Sequence, residues 1–460
     1  MAKNAELQEI QTEIMPDITN NTKELLKKVG PGLVWSAAAI GTGELILTTR
    51  NSAVHGLTFA WMILFLIFIK FFINYEVGRY TIFTGQTILG GVSKLSKFLV
   101  FWFAFLPITW QTVTISSYTV SGATLVSYVF GGNLAVITVI ITIFVSSLLY
   151  FGKYSILEKI CTLGTCTMTL CVMISAIAFT PLSGYAELLS NMVIPRLPSD
   201  TQGWTDMMSL TGFVGAGCIG TIWYSYWIRE KGYGLSLNNK RKDEYDNIMS
   251  VTCDDTPDEI RKGRNWLKLL KIDLGVGTVL TFIVCICFFL CGYAVLRPRG
   301  LAPSGMDLVL VQAQIVVELV GPLGEWIYII AAAEVMFAAY LTFEDGTVRV
   351  WNDASRILAP KRMKNIDDKK GYRIWVIVFT VQSLISLFFS LMKFQPLVLL
   401  QAQSIIDGAY NLPILAIVVL ILNLKVLPDT FKPSKGSIIF NILGIIFFII
   451  FAIYYTVIIF

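Results

Sequence analysis

A glutamate stands in the middle of the first long apolar run of this 460-residue chain, within Gly41-Thr42-Gly43-Glu44 of "GPGLVWSAAAIGTGELILTTR". A carboxylate at mid-bilayer depth costs about 2.5 kcal/mol or more unless it faces a polar cavity. Each adjacent glycine costs a helix about 1 kcal/mol relative to alanine. Both penalties at one point fit a helix that unwinds there and frees main-chain carbonyls and amides for a ligand. A later run, "SLTGFVGAGCIGTIWYSYWIREKG", carries Gly212, Gly215, Gly217 and Gly220 in its middle. Interrupted helices at corresponding places in two halves of a chain point to a solute site built from inverted repeats. The competing reading, close helix packing through small residues, stays open for the second run; Glu44 weakens it in the first.

Other chemistries find little to work with. His55 is the only histidine and falls in a loop between apolar runs, which excludes a histidine-based metal site or catalytic dyad. Cys161, Cys166, Cys171, Cys285, Cys287 and Cys291 lie inside apolar runs and read as small hydrophobes. Without a catalytic serine motif or cofactor fingerprint, the chain does not read as an enzyme and needs no cofactor. The net charge of +5 forms no basic patch interleaved with exposed aromatics, so nucleic acid is not an expected partner.

The elements that must position these residues are membrane helices. Only 15% of residues are charged, against about a quarter in soluble proteins. The apolar excess comes in blocks near the roughly 20 residues that span hydrocarbon as a helix. About eleven spans are expected, near 31–54, 57–78, 98–127, 133–151, 154–180, 208–230, 268–296, 308–345 (the span in its second half), 372–392, 395–424 and 437–459. With the N-terminus in the cytoplasm, most Lys and Arg fall in cytoplasmic segments, and only Arg50, Arg196, Arg297, Arg299 and Lys393 fall outside. That bias follows the positive-inside rule. The expectation is a multi-pass protein of the cell membrane with its N-terminus inside, its C-terminus outside and no cleaved signal peptide. Residues 1–28 read as a cytoplasmic arm and 29–460 as a transmembrane domain with a cytoplasmic loop at 232–264. Arm and loop are polar and read as solvated; the alternative for "CDDTPDE" in the loop is a regulatory cation site.

In order and spacing, several motifs resemble the natural resistance-associated macrophage protein (Nramp) family of divalent-metal transporters. "GPGLVWSAAAIGTGE" is similar to that family's first helix, with its Gly-Pro-Gly and then Asp-Pro-Gly-Asn. The stretch from Arg79 to Gly85 resembles its Arg-x-Gly-x-x-Thr-Gly, "FVGAGCIGTIWYSYW" its Met-Pro-His helix, and "AYNLPILAIVVLILN" its Gln-Leu-Pro helix, with Asn411 at the glutamine. The resemblance implies an all-α integral membrane fold, a LeuT-like five-plus-five inverted repeat with helices 1 and 6 broken. It covers most of the membrane region.

The departures matter as much. The family's aspartate falls on Gly41, its proline on Thr42 and its asparagine on Glu44; its methionine falls on Ile219, its proline on Gly220 and its histidine on Thr221. The carbonyl ligands would come from Ala38 and Ala216. With the thioether gone, Glu44, Thr42, Thr221 and main-chain carbonyls suit a hard cation such as Mg²⁺ or Mn²⁺. The family's proton path is thought to use the aspartate, the histidine and an acid on helix 3; the first two are replaced and the third run contains no acid, so transport without proton coupling is expected.

Several residues keep two readings. Glu334 either completes a cation site with Glu44 or is a hydrogen-bonded structural glutamate. Asp407 either lines the pathway or pairs with a basic partner. Glu76 and Arg79 read as a packing pair. Trp223, Tyr224, Tyr226 and Trp227 read as core or interfacial belt, with a gate or organic-cation cage as the alternative. The expected partners are the lipid bilayer and the transported divalent cation; the sequence does not fix the oligomeric state, a monomer being one reading. A small organic solute, amino-acid-like or carboxylate, on the same fold is the alternative cargo.

Overall fold

The computed structural model describes residues 11–40, 43–152, 154–239, 251–252, 254–302, 317, 321–391 and 396–459. Gly41 and Thr42, part of the loop 232–264 and the first part of the run at 308–345 therefore lie outside the described residues.

Among the described residues the regular structure is helical apart from one pair of two-residue strands, β1 (Gln11–Thr12) and β2 (Val251–Thr252). The first passage is α1 (Pro31–Ala39), a π-helical turn at Gly43–Thr48 and α2 (Thr49–His55). Then come α3 (Ala60–Thr84), α4 (Lys97–Phe130), α5 (Leu134–Phe151) and α6 (Tyr154–Phe179). The sixth passage is again in two pieces, α7 (Thr201–Phe213) and α8 (Cys218–Lys231). Next are α9 (Pro257–Cys291), α10 (Pro322–Leu358) and α11 (Asp368–Leu391). The tenth passage joins α12 (Pro396–Ile405) to α13 (Leu412–Val426) through a π-helical turn, and α14 (Lys435–Ile459) is the last.

Among the described residues seven stretches are long and apolar enough to cross a membrane, eight when Thr169–Phe179 and Leu182–Val193, bent by 113°, count as one. The interrupted first passage, α4 and α11 are further helical stretches at places where the sequence leads one to expect spans. Local signals set the ends. Ser96 caps α4 by accepting from the amides of Phe98 and Leu99, and Thr256 caps α9 ahead of Pro257, Asp258 and Glu259. Gly85 stops α3 in the left-handed conformation at φ 65°.

Burial sorts the passages. The apolar window of the sixth is entirely enclosed by protein. On α14, by contrast, Ile439, Leu443, Ile446, Ile450 and Ile453 are exposed at helical spacing, the stripe a helix presents to lipid. Lys70, Asn74 and Glu76 on α3 point the other way and are fully buried. Glu76 receives Arg79 Nε at 2.9 Å, Asn423 Nδ2 at 2.9 Å and Ser437 Oγ at 2.6 Å, so the packing pair read from sequence knits α3 to α13 and α14.

The N-terminal arm departs from its solvated expectation. β1 pairs in parallel with β2. The amide of Met15 donates to Glu259 Oε2 at 2.6 Å, Trp266 Nε1 donates to the carbonyl of Pro16 at 2.8 Å, and Asn265 Nδ2 to that of Ile18 at 3.0 Å. The first turns of α9 carry polar side chains that satisfy main-chain groups of the arm, and Met15 and Ile18 are buried.

Candidate functional site

The two interrupted passages meet. α1 ends at Ala39, and after Gly41 and Thr42 the backbone resumes as a wide π turn from Gly43. In the sixth passage the helix stops at Phe213, Gly215 and Ala216 take φ of 70° and 58°, Gly217 is extended, and α8 begins at Cys218. Ala216 is the one non-glycine with positive φ among the described residues; this conformation costs a side-chain-bearing residue roughly 1–2 kcal/mol. The strain is concentrated where the helix opens.

The break leaves helix termini in the protein interior, and charged side chains meet them. Lys70 Nζ, on α3, donates to the carbonyls of Thr211 and Val214, each at 2.6 Å, at the electronegative C-terminal end of α7. Asp407, in the π turn of the tenth passage, accepts from the amide of Ile219 at 3.1 Å, at the electropositive start of α8. A Cβ on Gly217 would lie 2.0 Å from Asp407 Oδ2, and one on Gly408 2.1 Å from the carbonyl carbon of Thr211. Only glycine admits the tenth passage this close. Ser404 Oγ donates to the carbonyl of Ser209 and accepts from the amide of Gly212 at 3.0 Å; Thr114 Oγ1 donates to Gln403 Oε1.

A cavity of about 30 Å³ remains between these elements. Ala38 and Ala39 border it from α1; Ala216, Gly217 and Ile219 from the break; Phe343 from α10; and Gln403, Ser404 and Asp407 from the tenth passage. Ala38, Ala216 and Ile219, singled out from sequence on two distant runs, thus share one wall.

The remaining expected site residues fall as follows. Gly41 and Thr42 lie outside the described residues, as does the side chain of Glu44, whose backbone belongs to the π turn. Thr221 is one turn into α8, its hydroxyl buried and unpartnered among the described residues. Asn411 is held away from the cavity wall: it accepts from Trp102 Nε1 at 2.9 Å and donates to the carbonyl of Ile406 at 2.7 Å. Glu334 is bonded to Thr167 of α6, on a different stretch of α10 from the Phe343 that lines the cavity. Nor does the loop acid run form a metal cluster: Asp258 and Glu259 pair with Lys262 at 2.7 and 2.9 Å, and among the described residues no three Asp, Glu, His or Cys converge on an ion. Lys70 was missed in sequence. Its signal was an ammonium in the middle of "MILFLIFIKFFINYE", where an ionisable residue marks function by default.

Two aspartates close the assembly above and below. Asp273, on α9, accepts from the amides of Gly30 and Gly32 at 2.7 and 2.8 Å and from Tyr224 Oη at 3.0 Å, tying the start of α1 to α8. Asp206, on α7, accepts from His55 Nε2 at 2.8 Å and Gln401 Nε2 at 2.6 Å, and its carbonyl from Asn51 Nδ2 at 3.0 Å, tying α7 to α2 and α12. The aromatic stripe of α8 is core: Trp223 stacks edge-on against Phe343, and Tyr226 and Trp227 donate to Asp353 and Asp345 on α10.

Interrupted first and sixth passages, facing one another across a small cavity with Gln403, Ser404 and Asp407 in its wall and held by the tenth, define a membrane transporter of the LeuT-like five-plus-five class. The solved manganese transporter of Eremococcus coleocola, in mutant forms, superposes with a TM-score of 0.67 over 98% of this chain and 89% of its own, at 13% identity. MhsT, solved with L-phenylalanine, superposes with a TM-score of 0.56 over 92% of this chain and 98% of its own, at 14% identity. The model of the natural resistance-associated macrophage protein-like (Nramp) family matches residues 32–458, and the chain belongs to that family. An uncharacterised protein of Pasteurella multocida (strain Pm70) is 27% identical over 191 residues, 40% of this chain and 44% of that protein, so the match spans less than half of the relative's length.

Proposed function

We propose that this protein carries a divalent metal cation across the membrane through the cavity at the break of the sixth passage. The observation that carries the reading is the lining: a buried carboxylate, Asp407, beside amide and hydroxyl oxygens of Gln403 and Ser404 and the distorted backbone around Ala216. Oxygen ligands of this kind suit Mg²⁺, Ca²⁺ or Mn²⁺, whereas thioether, thiolate and imidazole, which favour softer metals, are missing from the described lining. Family membership and the fold shared with a manganese transporter support the same cargo. Ala38 and Ala216 would offer carbonyls, and Glu44 with Thr42, Gly41 and Thr221 would complete the ligand set.

A cavity of about 30 Å³ has room for an ion with a water or two; organic ligands ask for roughly 300 Å³ or more. That size weighs against an organic solute.

Transport runs down the cation's electrochemical gradient, uncoupled from protons. The positions of the family's aspartate and histidine hold Gly41 and Thr221, and the third run contains no acid, which supports that reading. Mn²⁺ and Mg²⁺ flux into proteoliposomes with internal pH recorded tests both parts. Uptake without acidification is the expected result. Absence of divalent flux in folded protein would overturn the cargo, and stoichiometric acidification would overturn the uncoupled mechanism.

A further inference from the structure

The side chain of Lys70 enters the core from α3, fully buried, and ends in the carbonyl pocket opened by the break of the sixth passage. Its stem runs past Gly215, where an added Cβ would lie 3.5 Å from Lys70 Cδ. Two of its three ammonium donors go to the carbonyls of Thr211 and Val214. Of the neighbouring carbonyls, that of Leu210 accepts from the amide of Val214, and that of Phe213 from the amide of Ala216. In interrupted membrane helices, unwound carbonyls and half-helix C-terminal ends are the groups that coordinate a small cation. Here a cation covalently tied to the protein is already among them. A buried ammonium is costly to desolvate, and a side chain placed there for packing alone would be better served by an apolar residue.

We propose that Lys70 is a tethered cation: its ammonium fills, permanently, a carbonyl pocket at the C-terminal end of α7 that would otherwise take a free monovalent cation. The protein then needs no dissolved Na⁺ or K⁺ at this position to hold the broken passage together, and removing the side chain converts the pocket into a site for such an ion. The proposal rests on the geometry of the break and is independent of which solute is carried.

Thermal unfolding of the detergent-solubilised full chain tests it, in NaCl, KCl and N-methylglucamine chloride at equal ionic strength. The wild-type midpoint is expected to be the same in all three. Lys70→Met and Lys70→Gln are expected to unfold roughly 5 °C or more lower in N-methylglucamine, and to recover saturably as Na⁺ or K⁺ is titrated in. Gln separates the roles, since it keeps neutral donors for the carbonyls but no charge. A wild-type midpoint that depends on Na⁺ or K⁺ overturns the proposal. So do variants whose midpoints ignore the cation, a Lys70→Gln variant as stable in N-methylglucamine as wild type, or failure to recover either variant folded in any of the three salts.

Discussion

The carboxylate of Asp407 and the main-chain amide of Ile219 are 3.1 Å apart, although 188 residues separate them in the chain. This bond fastens the π turn of the tenth passage to the first turn of α8 and sets a carboxyl group at the wall of the cavity. The same residue thereby caps a helix and supplies the cavity with its described acid.

If Asp407 ligates the cation, Asp407→Asn lowers Mn²⁺ affinity by roughly tenfold or more, the equivalent of about 1.4 kcal/mol. Loss of the charged cap takes about 1 kcal/mol of stability with it. Titration calorimetry and thermal unfolding on the same preparation separate the two effects. Unchanged Mn²⁺ affinity in a folded variant would remove Asp407 from the ligand set.

Glu44→Gln and Glu44→Ala are expected to abolish divalent uptake while leaving the unfolding midpoint within a few degrees of wild type. Full uptake in either variant would end the assignment of Glu44 as principal ligand.

Gly217→Ala forces a methyl to 2.0 Å from Asp407 Oδ2, and overpacking of this kind costs about 1–3 kcal/mol. The variant should unfold earlier and lose Mn²⁺ binding together. Gly436→Ala, at the start of α14 with nothing within 4 Å of the added methyl, should be neutral or stabilise by up to about 1 kcal/mol. Equal midpoints for the two variants would show that the contact between Gly217 and Asp407 does not constrain the break.

Asp273 and Asp206 hold opposite ends of the interrupted passages, so their loss should bias the transporter in opposite directions. With a reporter thiol at Ala39→Cys, Asp273→Ala should speed labelling by an impermeant reagent applied from the face bearing the N-terminus. Asp206→Ala should speed it from the other face. Identical labelling from both faces in all variants would mean that neither aspartate is a latch.

Much of this protein is written in local patterns. Runs of apolar residues near the bilayer's thickness and the uneven spread of Lys and Arg led to eleven helical passages, because each passage must satisfy its own backbone in hydrocarbon wherever its neighbours lie. The breaks in the first and sixth were legible for the same reason: glycine clusters weaken a helix without reference to anything distant. Tertiary structure alone decided which polar groups converge. Asp407 read as lining the pathway or pairing with a basic partner; it borders the cavity and bonds the amide of Ile219, a free donor only because α8 starts afresh after Gly217. Glu334 and Asn411 sit at membrane depth like Asp407, yet packing turned them to Thr167 and Trp102. Lys70 reached the break because α3 presents that face to the core, a direction that an almost uniformly apolar run does not encode. A composition specifies what must be buried or exposed to lipid; which buried polar group meets which depends on distances across the bundle, and those exist only after the helices have packed.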